Sequence, residues 1–278
     1  MKKVIFTLLH AARVTRFAAW WNRRRVMILC YHGVTGRPHR SPQDPDGLHI
    51  RHDRFDAQLD HLQRLYHIIS LREYLTARRE GRSLPHYSVI LTFDDGYRNL
   101  LTMAAPRLAA RRLPATFFLI TDHVRNGVGP EPAPSWSPAD DEGYLSWTEI
   151  QRLEREQGIE FGSHTCSHRK LPTLSPDEAE RELHDSRAAV IAHTKSETLP
   201  FAYPYGKYSV ALAQRALSHG YVCALTTDAG TNDMQTDLFM LKRTLVSDFD
   251  DEAAFAARVS GLTCWLNRAQ ALLKSTHF

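Results

Sequence analysis

Residues 91–97 read Leu-Thr-Phe-Asp-Asp-Gly-Tyr, an apolar strand-like run that leads directly into two adjacent carboxylates and a glycine turn. Aspartate-glycine pairs are common in solvated turns, so the Asp95-Gly96 pair alone indicates little about function. Two acids at the carboxyl end of a buried strand are more informative, because chemistry in parallel α/β proteins gathers at that end. Adjacent side chains diverge, so one of Asp94 and Asp95 can bind a metal while the other faces a substrate.

Six other segments share the character of residues 88–93. They are short, nearly continuously apolar and rich in β-branched and aromatic residues, as expected of strands buried on both faces. The strand candidates are Val26–Tyr31, Ser88–Phe93, Ala115–Ile120, Ile159–Gly162, Leu199–Tyr203, Tyr221–Thr227 and Leu241–Val246. Amphipathic helices alternate with them, and capping boxes begin two of these helices, at Ser146 and at Ser175. This alternation predicts an α/β fold, a distorted (β/α) barrel with about seven parallel strands.

The composition is that of an ordinary globular protein. Of 278 residues, 43% are hydrophobic and 24% are charged, which allows a sizeable core, and no apolar run is long enough to span a bilayer. The four cysteines are scattered without CxxC spacing, which favours buried reduced thiols over a disulfide framework: Cys30, Cys166, Cys223 and Cys264.

The charge is unevenly distributed along the chain. Residues 1–25 carry seven basic residues and no acid, while the remainder has 28 basic and 31 acidic residues. We therefore expect a basic amphipathic arm over residues 1–25 and a barrel domain over residues 26–278, without a nucleic-acid-binding domain. The arm lacks the apolar length and the cleavage site of a signal peptide. Its basic residues and tryptophans suit a helix at an anionic membrane surface, but a helix that closes the bottom of the barrel fits equally well.

A second motif, Ser163-His164-Thr165-Cys166-Ser167-His168, directly follows the strand candidate Ile159–Gly162. Two histidines four residues apart share one face of a helical turn, so a single helical segment can supply two imidazole ligands to a metal. Cys166 should then point away from that face and serve packing.

Two weaker signals also end strands. Leu199 to Gly206 reads Leu-Pro-Phe-Ala-Tyr-Pro-Tyr-Gly, a tight loop that could offer a free backbone N–H to an oxyanion. His32 ends the first strand candidate, a position that is more often structural than catalytic.

Together and in this order, the three motifs resemble the polysaccharide deacetylase family, also called the NodB-homology domain, a carbohydrate esterase type. The resemblance runs from about Val26 to the last helix. It implies a distorted (β/α) barrel that removes N-acetyl groups from amino sugars in a polysaccharide or its precursor. It also implies a divalent metal bound by Asp95, His164 and His168, with zinc as the default and cobalt or nickel as alternatives. By the same resemblance, Asp94 would be the base for a metal-activated water that attacks the amide, and the backbone N–H of Tyr205 would stabilise the oxyanion.

Two departures from the family pattern limit these implications. Many members have an arginine that orients the catalytic base where this chain has Ala202. Arg243, on the last strand candidate, could replace it. Members also carry a late histidine that protonates the leaving amine, whereas residues 241–250 contain none. His32 should open onto the same barrel face and could serve instead.

The substrate pocket is expected to include Tyr203, Pro204 and Trp136, the last within the long loop 121–145. Three alternatives to the deacetylase remain open: a metal-free glycan-binding module, a related C–N hydrolase for a non-acetyl amide, and a structural membrane-surface protein. The N-acetylated glycan is the expected partner. Because no clear export signal is present, we expect the protein in the cytoplasm or peripherally on the cytoplasmic membrane.

Overall fold

The computed structural model describes residues 6–9, 13–36, 44, 46–124, 143–196 and 198–267. All seven predicted strands are present: β1 Met27–Tyr31, β5 Ser88–Phe93, β6 Thr116–Leu119, β7 Glu160–Ser163, β8 Pro200–Ala202, β9 Cys223–Leu225 and β10 Thr244–Leu245. Three two-residue strands were not predicted: β2 Val34–Thr35, β3 Ile50–Arg51 and β4 His67–Ile68. β2 pairs with β3 away from the main sheet, and β4 adds to β5.

The main sheet is parallel throughout, in the order β10-β1-β5-β6-β7-β8-β9. A parallel bridge between Leu225 and Leu241 joins the β9 end to the segment that becomes β10. The sheet therefore curls into the predicted distorted (β/α) barrel, closed through residues 241–245.

In the described part of the chain, the helices that surround the sheet or cover its ends include α1 Val14–Trp21, α2 His52–Leu65, α3 Leu71–Glu80, α4 Ala105–Ala110, α5 Trp147–Gln157, α6 Pro176–His193, α7 Val210–Ser218 and α8 Glu252–Val259. The predicted capping boxes of Ser146 with Glu149 and of Ser175 with Glu178 both form. Gly158 ends α5 in the left-handed conformation, as its position indicated.

Alternation along the strands divides the core into two parts. Leu29, Tyr31, Leu91 and Phe93 pack outward against the helices. Ile28, Ile90, Phe118, Ala202, Leu225 and Leu241 form a separate cluster on the inner side of the barrel. Because successive side chains of a strand point to opposite faces, every second residue beyond this inner cluster also faces inward.

Gly162 shows how tightly the barrel interior is filled. A Cβ added at this position would lie 2.5 Å from Phe118 Cε1 and 2.8 Å from the Pro200 carbonyl oxygen. Only glycine lets β7 approach β8 past the Phe118 ring, so the interior is tightly filled at this level. We therefore expect chemistry at the carboxyl ends of the strands.

Helix α1 lies at the amino-terminal end of the barrel. Ala18 packs with Ala257 and Leu262, and the Asn22 amide donates a hydrogen bond of 2.9 Å to the Ser260 carbonyl. The Arg23 carbonyl accepts from the Tyr87 N–H, directly before β5. Across the described segments, no helix combines the length and apolarity that a bilayer crossing requires.

Candidate functional site

The three predicted metal ligands meet at the carboxyl end of the barrel. Asp95 Oδ1 lies 3.6 Å from Nε2 of His164 and 3.6 Å from Nε2 of His168. The two imidazole rings lie 4.8 Å apart between centroids. Asp95 follows β5 and both histidines follow β7, so the two ligand segments come from strands that are separated only by β6.

The histidine pair does not lie on a helix, so the prediction of a shared helical face was wrong. Residues 164–170 form an irregular loop in which Thr165 and His168 have φ of 67° and 58°. This left-handed backbone turns the chain back on itself and brings the second ring beside the first. Such backbone strain in non-glycine residues concentrates at functional sites. In place of helical hydrogen bonds, local side-chain contacts hold this loop, including a hydrogen bond of 3.1 Å from the His168 N–H to Thr165 Oγ1.

The donor set fits a divalent cation. Asp95 Oδ1 is buried, and no hydrogen-bond partner for it occurs within the described ranges. His164 Nδ1 donates to the Ala202 carbonyl at 2.8 Å, which leaves the lone pair of Nε2 turned toward the carboxylate. Burial lowers the pKa of His164 and of His168, so both rings are held in the neutral form that a metal needs. Acceptors that converge on one point in this way suit a cation at their centre.

Asp94 is held by Arg243 across the barrel. Nη1 and Nη2 of the arginine lie 2.7 Å from Oδ1 and Oδ2 of the carboxylate, a bidentate pair in which Arg243 is fully buried. Arg243 also donates to the Thr226 carbonyl at 2.9 Å. Burial is the largest single effect and would raise the pKa of Asp94, but the charge and hydrogen bonds of Arg243, together with the neighbouring histidines, hold the pKa below its usual range. The structure thus provides an arginine beside Asp94 despite Ala202, as the sequence suggested.

Cys30 and His32 complete the surroundings of Asp94. The Cys30 thiol lies 3.4 Å from Asp94 Oδ2, and burial raises the thiol pKa, so it can donate a hydrogen bond. A nitrogen of His32 lies within 4.8 Å of the Asp94 carboxylate, which places His32 on the predicted face. Burial lowers the pKa of His32, so this ring is also neutral. All four cysteines are free, in agreement with the expected reduced thiols.

Tyr205 lies beside the ligand cluster. Its ring centroid is 4.6 Å from that of His168, and its φ of 57° is left-handed. The N–H groups of Gly206 and Lys207 donate to the carbonyls of Tyr203 and Pro204. Within the described chain, the Tyr205 N–H itself has no acceptor. The tight loop therefore leaves an amide N–H available at the site, as the motif indicated.

The predicted substrate residues are placed differently. Tyr203 is fully buried, and its hydroxyl donates to the Phe239 carbonyl at 3.2 Å. Because Tyr203 follows Phe201 on the outward face of β8, it packs under the helices, and the substrate role predicted for its side chain was wrong. Pro204 is also buried, beneath the Tyr205 turn. Trp136 lies outside the described residues.

Sequence reasoning missed Glu182 on α6. Its Oε2 accepts hydrogen bonds from the backbone N–H groups of Cys166 and Ser167 at 2.8 and 3.0 Å, and its Oε1 accepts from the Ser167 hydroxyl. It is buried like Ala179, Leu183, Ser186 and Val190 of the same helix. The sequence did contain a signal for it: Glu182 lies on the buried face of this helix, and a buried carboxylate needs hydrogen-bond or charged partners.

Replacing Glu182 with glutamine should loosen the histidine loop. Glutamine offers one acceptor oxygen where three donors converge, so we expect about 1–3 kcal/mol of lost stability and about 10–100-fold weaker metal binding. Chemical denaturation and zinc titration would measure both. Glu180→Gln on the same helix removes a half-exposed partner of Arg215 and should change stability by less than about 1 kcal/mol. Equal zinc affinity in the two variants would contradict the assigned role.

The chain is similar in sequence and in fold to known proteins. The sequence model of the family described as polysaccharide deacetylase matches residues 81–224, more than half of the chain, including Asp94, Asp95, His164 and His168. The chain belongs to the polysaccharide deacetylase family. The matched span ends before Arg243, so the partner of Asp94 in this family member lies outside it.

Relatives and solved structures agree with this assignment. YxkH of Bacillus subtilis (strain 168) is 25% identical over 240 residues, 86% of this chain and 77% of YxkH. The poly-β-1,6-N-acetyl-D-glucosamine N-deacetylase of Escherichia coli (strain K12) is 23% identical over 70% of this chain, which spans only 33% of that protein. The fold matches the Streptococcus pyogenes deacetylase PplD, solved in complex with acetate, with a TM-score of 0.71 at 24% identity over 84% of this chain and 98% of PplD.

Proposed function

We propose that this polysaccharide deacetylase hydrolyses the N-acetyl amide of amino sugars in a polysaccharide or its precursor and depends on a divalent metal for this activity. The observation that carries the proposal is the pairing, at one barrel end, of an acceptor triad with a carboxylate locked onto Arg243. The Escherichia coli relative is named for N-deacetylation of a polymer of N-acetylglucosamine, which supports this substrate class.

Asp95, His164 and His168 would hold the metal, with zinc as the default and cobalt or nickel suited to the same ligands. A cation held there supplies Lewis acidity, which polarises an amide carbonyl and makes water a stronger nucleophile at neutral pH. Asp94 is suited to accept the proton of the attacking water, because Arg243 keeps it ionised and fixes both oxygens.

The remaining steps fall to two other residues. The free N–H of Tyr205 would donate to the oxyanion of the tetrahedral intermediate. His32, which lies beside Asp94 and is neutral in the free site, would take up the proton that Asp94 removes from the water and deliver it to the amine nitrogen as the carbon–nitrogen bond breaks. The products are acetate and a free amine, so atoms and protons balance with one water consumed.

Zinc-loaded protein should release acetate from N-acetylglucosamine oligomers, and a chelator should abolish the release. His32→Gln should retain zinc binding while acetate release falls, because its role is proton delivery. An enzyme-coupled acetate assay with a zinc titration on each variant measures both. Stoichiometric zinc binding without acetate release from any oligomer would contradict the proposal and direct attention to other amides.

A further inference from the structure

The amino-terminal end of the barrel carries an exposed aromatic cluster that the proposed chemistry does not use. Phe17, Trp20 and Trp21 of α1 are 55%, 48% and 63% exposed. The Phe17 ring centroid lies 5.9 Å from that of Trp20 and 6.3 Å from that of Trp21, so the three rings form one continuous surface. Neighbouring exposed rings of this size mark interaction surfaces, unlike scattered single apolar residues.

Basic side chains surround these rings. Arg13, Arg16 and Arg24 are exposed, and the guanidinium of Arg23 lies 4.5 Å from the Trp20 ring centroid. The sequence of residues 1–25 contains no acid to offset this charge. Tryptophan with arginine is the combination that places a helix at the headgroup level of a membrane.

We infer that this surface, formed by α1 and the turn after it, docks the protein on a bilayer that contains anionic lipids. Charge complementarity argues against a second copy of the chain as the occupant, because two such basic surfaces would repel each other. The ring of Phe17 contacts both tryptophan rings, which argues against a nucleic acid, because bases need free aromatic faces on which to stack. The other face of α1 is already committed to α8 through Ala18 and Ala257.

Docking in this manner orients the active site. Helix α1 lies at the amino-terminal end of the strands, and Asp94 follows their carboxyl end, about 16 Å away for five residues at about 3.3 Å each. The catalytic rim would therefore face away from the bilayer. A bound enzyme would act on glycan that extends from the membrane, while the active site at the carboxyl end of the barrel stays open to solvent.

Co-flotation with vesicles tests the inference independently of activity. The full chain should bind vesicles of phosphatidylcholine with phosphatidylglycerol at least about tenfold better than pure phosphatidylcholine, and 0.5 M salt should weaken the binding. The variants F17A/W20A/W21A and R16Q/R24Q should each reduce binding about tenfold or more. The control V210A/L217A removes two equally exposed apolar side chains of α7 and should bind like the unaltered protein.

Thermal melting and size-exclusion chromatography on each variant check that the fold and the oligomeric state are preserved. Equal binding to both vesicle types, or unchanged binding of the aromatic variant, would overturn the inference. A dimer that F17A/W20A/W21A converts to monomer, without vesicle binding in any variant, would also overturn it and assign the surface to self-association.

Discussion

Asp94→Asn should lower kcat by about 10²–10⁴-fold and also destabilise the protein by about 3–5 kcal/mol. The kinetic loss would follow from removal of the proposed base. The loss of stability has a different origin, because the substitution leaves the fully buried Arg243 guanidinium without its carboxylate. A weakened fold could therefore be mistaken for a catalytic defect.

The double variant D94N/R243M separates the two effects. Methionine fills a similar space without charge, so the double variant buries no unpaired charge and should regain much of the stability that Asp94→Asn loses. Activity should stay low. Urea denaturation on the four members of this cycle gives the coupling energy directly. Glu160→Gln, at the opposite end of the barrel and paired with the exposed Arg72, is the control and should retain activity.

Arg243→Met alone predicts a pH effect of defined sign. Arg243 lowers the pKa of Asp94 against the opposing effect of burial, so its removal leaves burial to raise that pKa. As the proposed base, Asp94 must be ionised, and the acid limb of the pH–kcat profile should therefore move to higher pH by about one unit or more. An unchanged acid limb with a merely lower Tm would show that Arg243 has only a structural role.

Zinc should raise the Tm of the metal-free protein by about 5–10 °C at a concentration 100-fold above its Kd. This corresponds to about 2.7 kcal/mol of linkage, spread over a domain of this size. The reason is the convergence of Asp95 Oδ1 with two imidazole nitrogens at 3.6 Å, three groups that a bound cation would join.

Asp95→Asn should invert this behaviour. In the metal-free protein, the buried Asp95 Oδ1 has no hydrogen-bond partner within the described chain. Its replacement should therefore leave the free energy of unfolding unchanged or raise it by up to about 1–2 kcal/mol relative to the unaltered protein. Addition of zinc should raise the Tm of this variant by almost nothing. Thermal unfolding with chelator and with zinc measures both states, and Glu180→Gln should keep the full zinc shift. A zinc shift retained by Asp95→Asn would remove this residue from the ligand set.

Much of the barrel follows from local patterns in the chain. Seven apolar segments such as Met27–Tyr31 become strands because each can be buried on both faces. Ser146 and Ser175 start helices through capping contacts with glutamates only three residues further along the chain. The carboxylates after β5 and the histidines after β7 were visible because the carboxyl ends of parallel strands meet at one rim. The proximity of these ligands is therefore a consequence of strand order.

Tertiary structure decided the rest. Arg243 reaches Asp94 across 149 residues only because the segment through Leu241 closes the barrel and turns every second residue inward. The same alternation turns Tyr203 outward into the core, although the motif placed it beside Tyr205. The sequence determined which chemical groups end each strand. The side chains that face the rim were set by barrel closure and the period of two along each strand, because both depend on contacts between residues far apart in the chain.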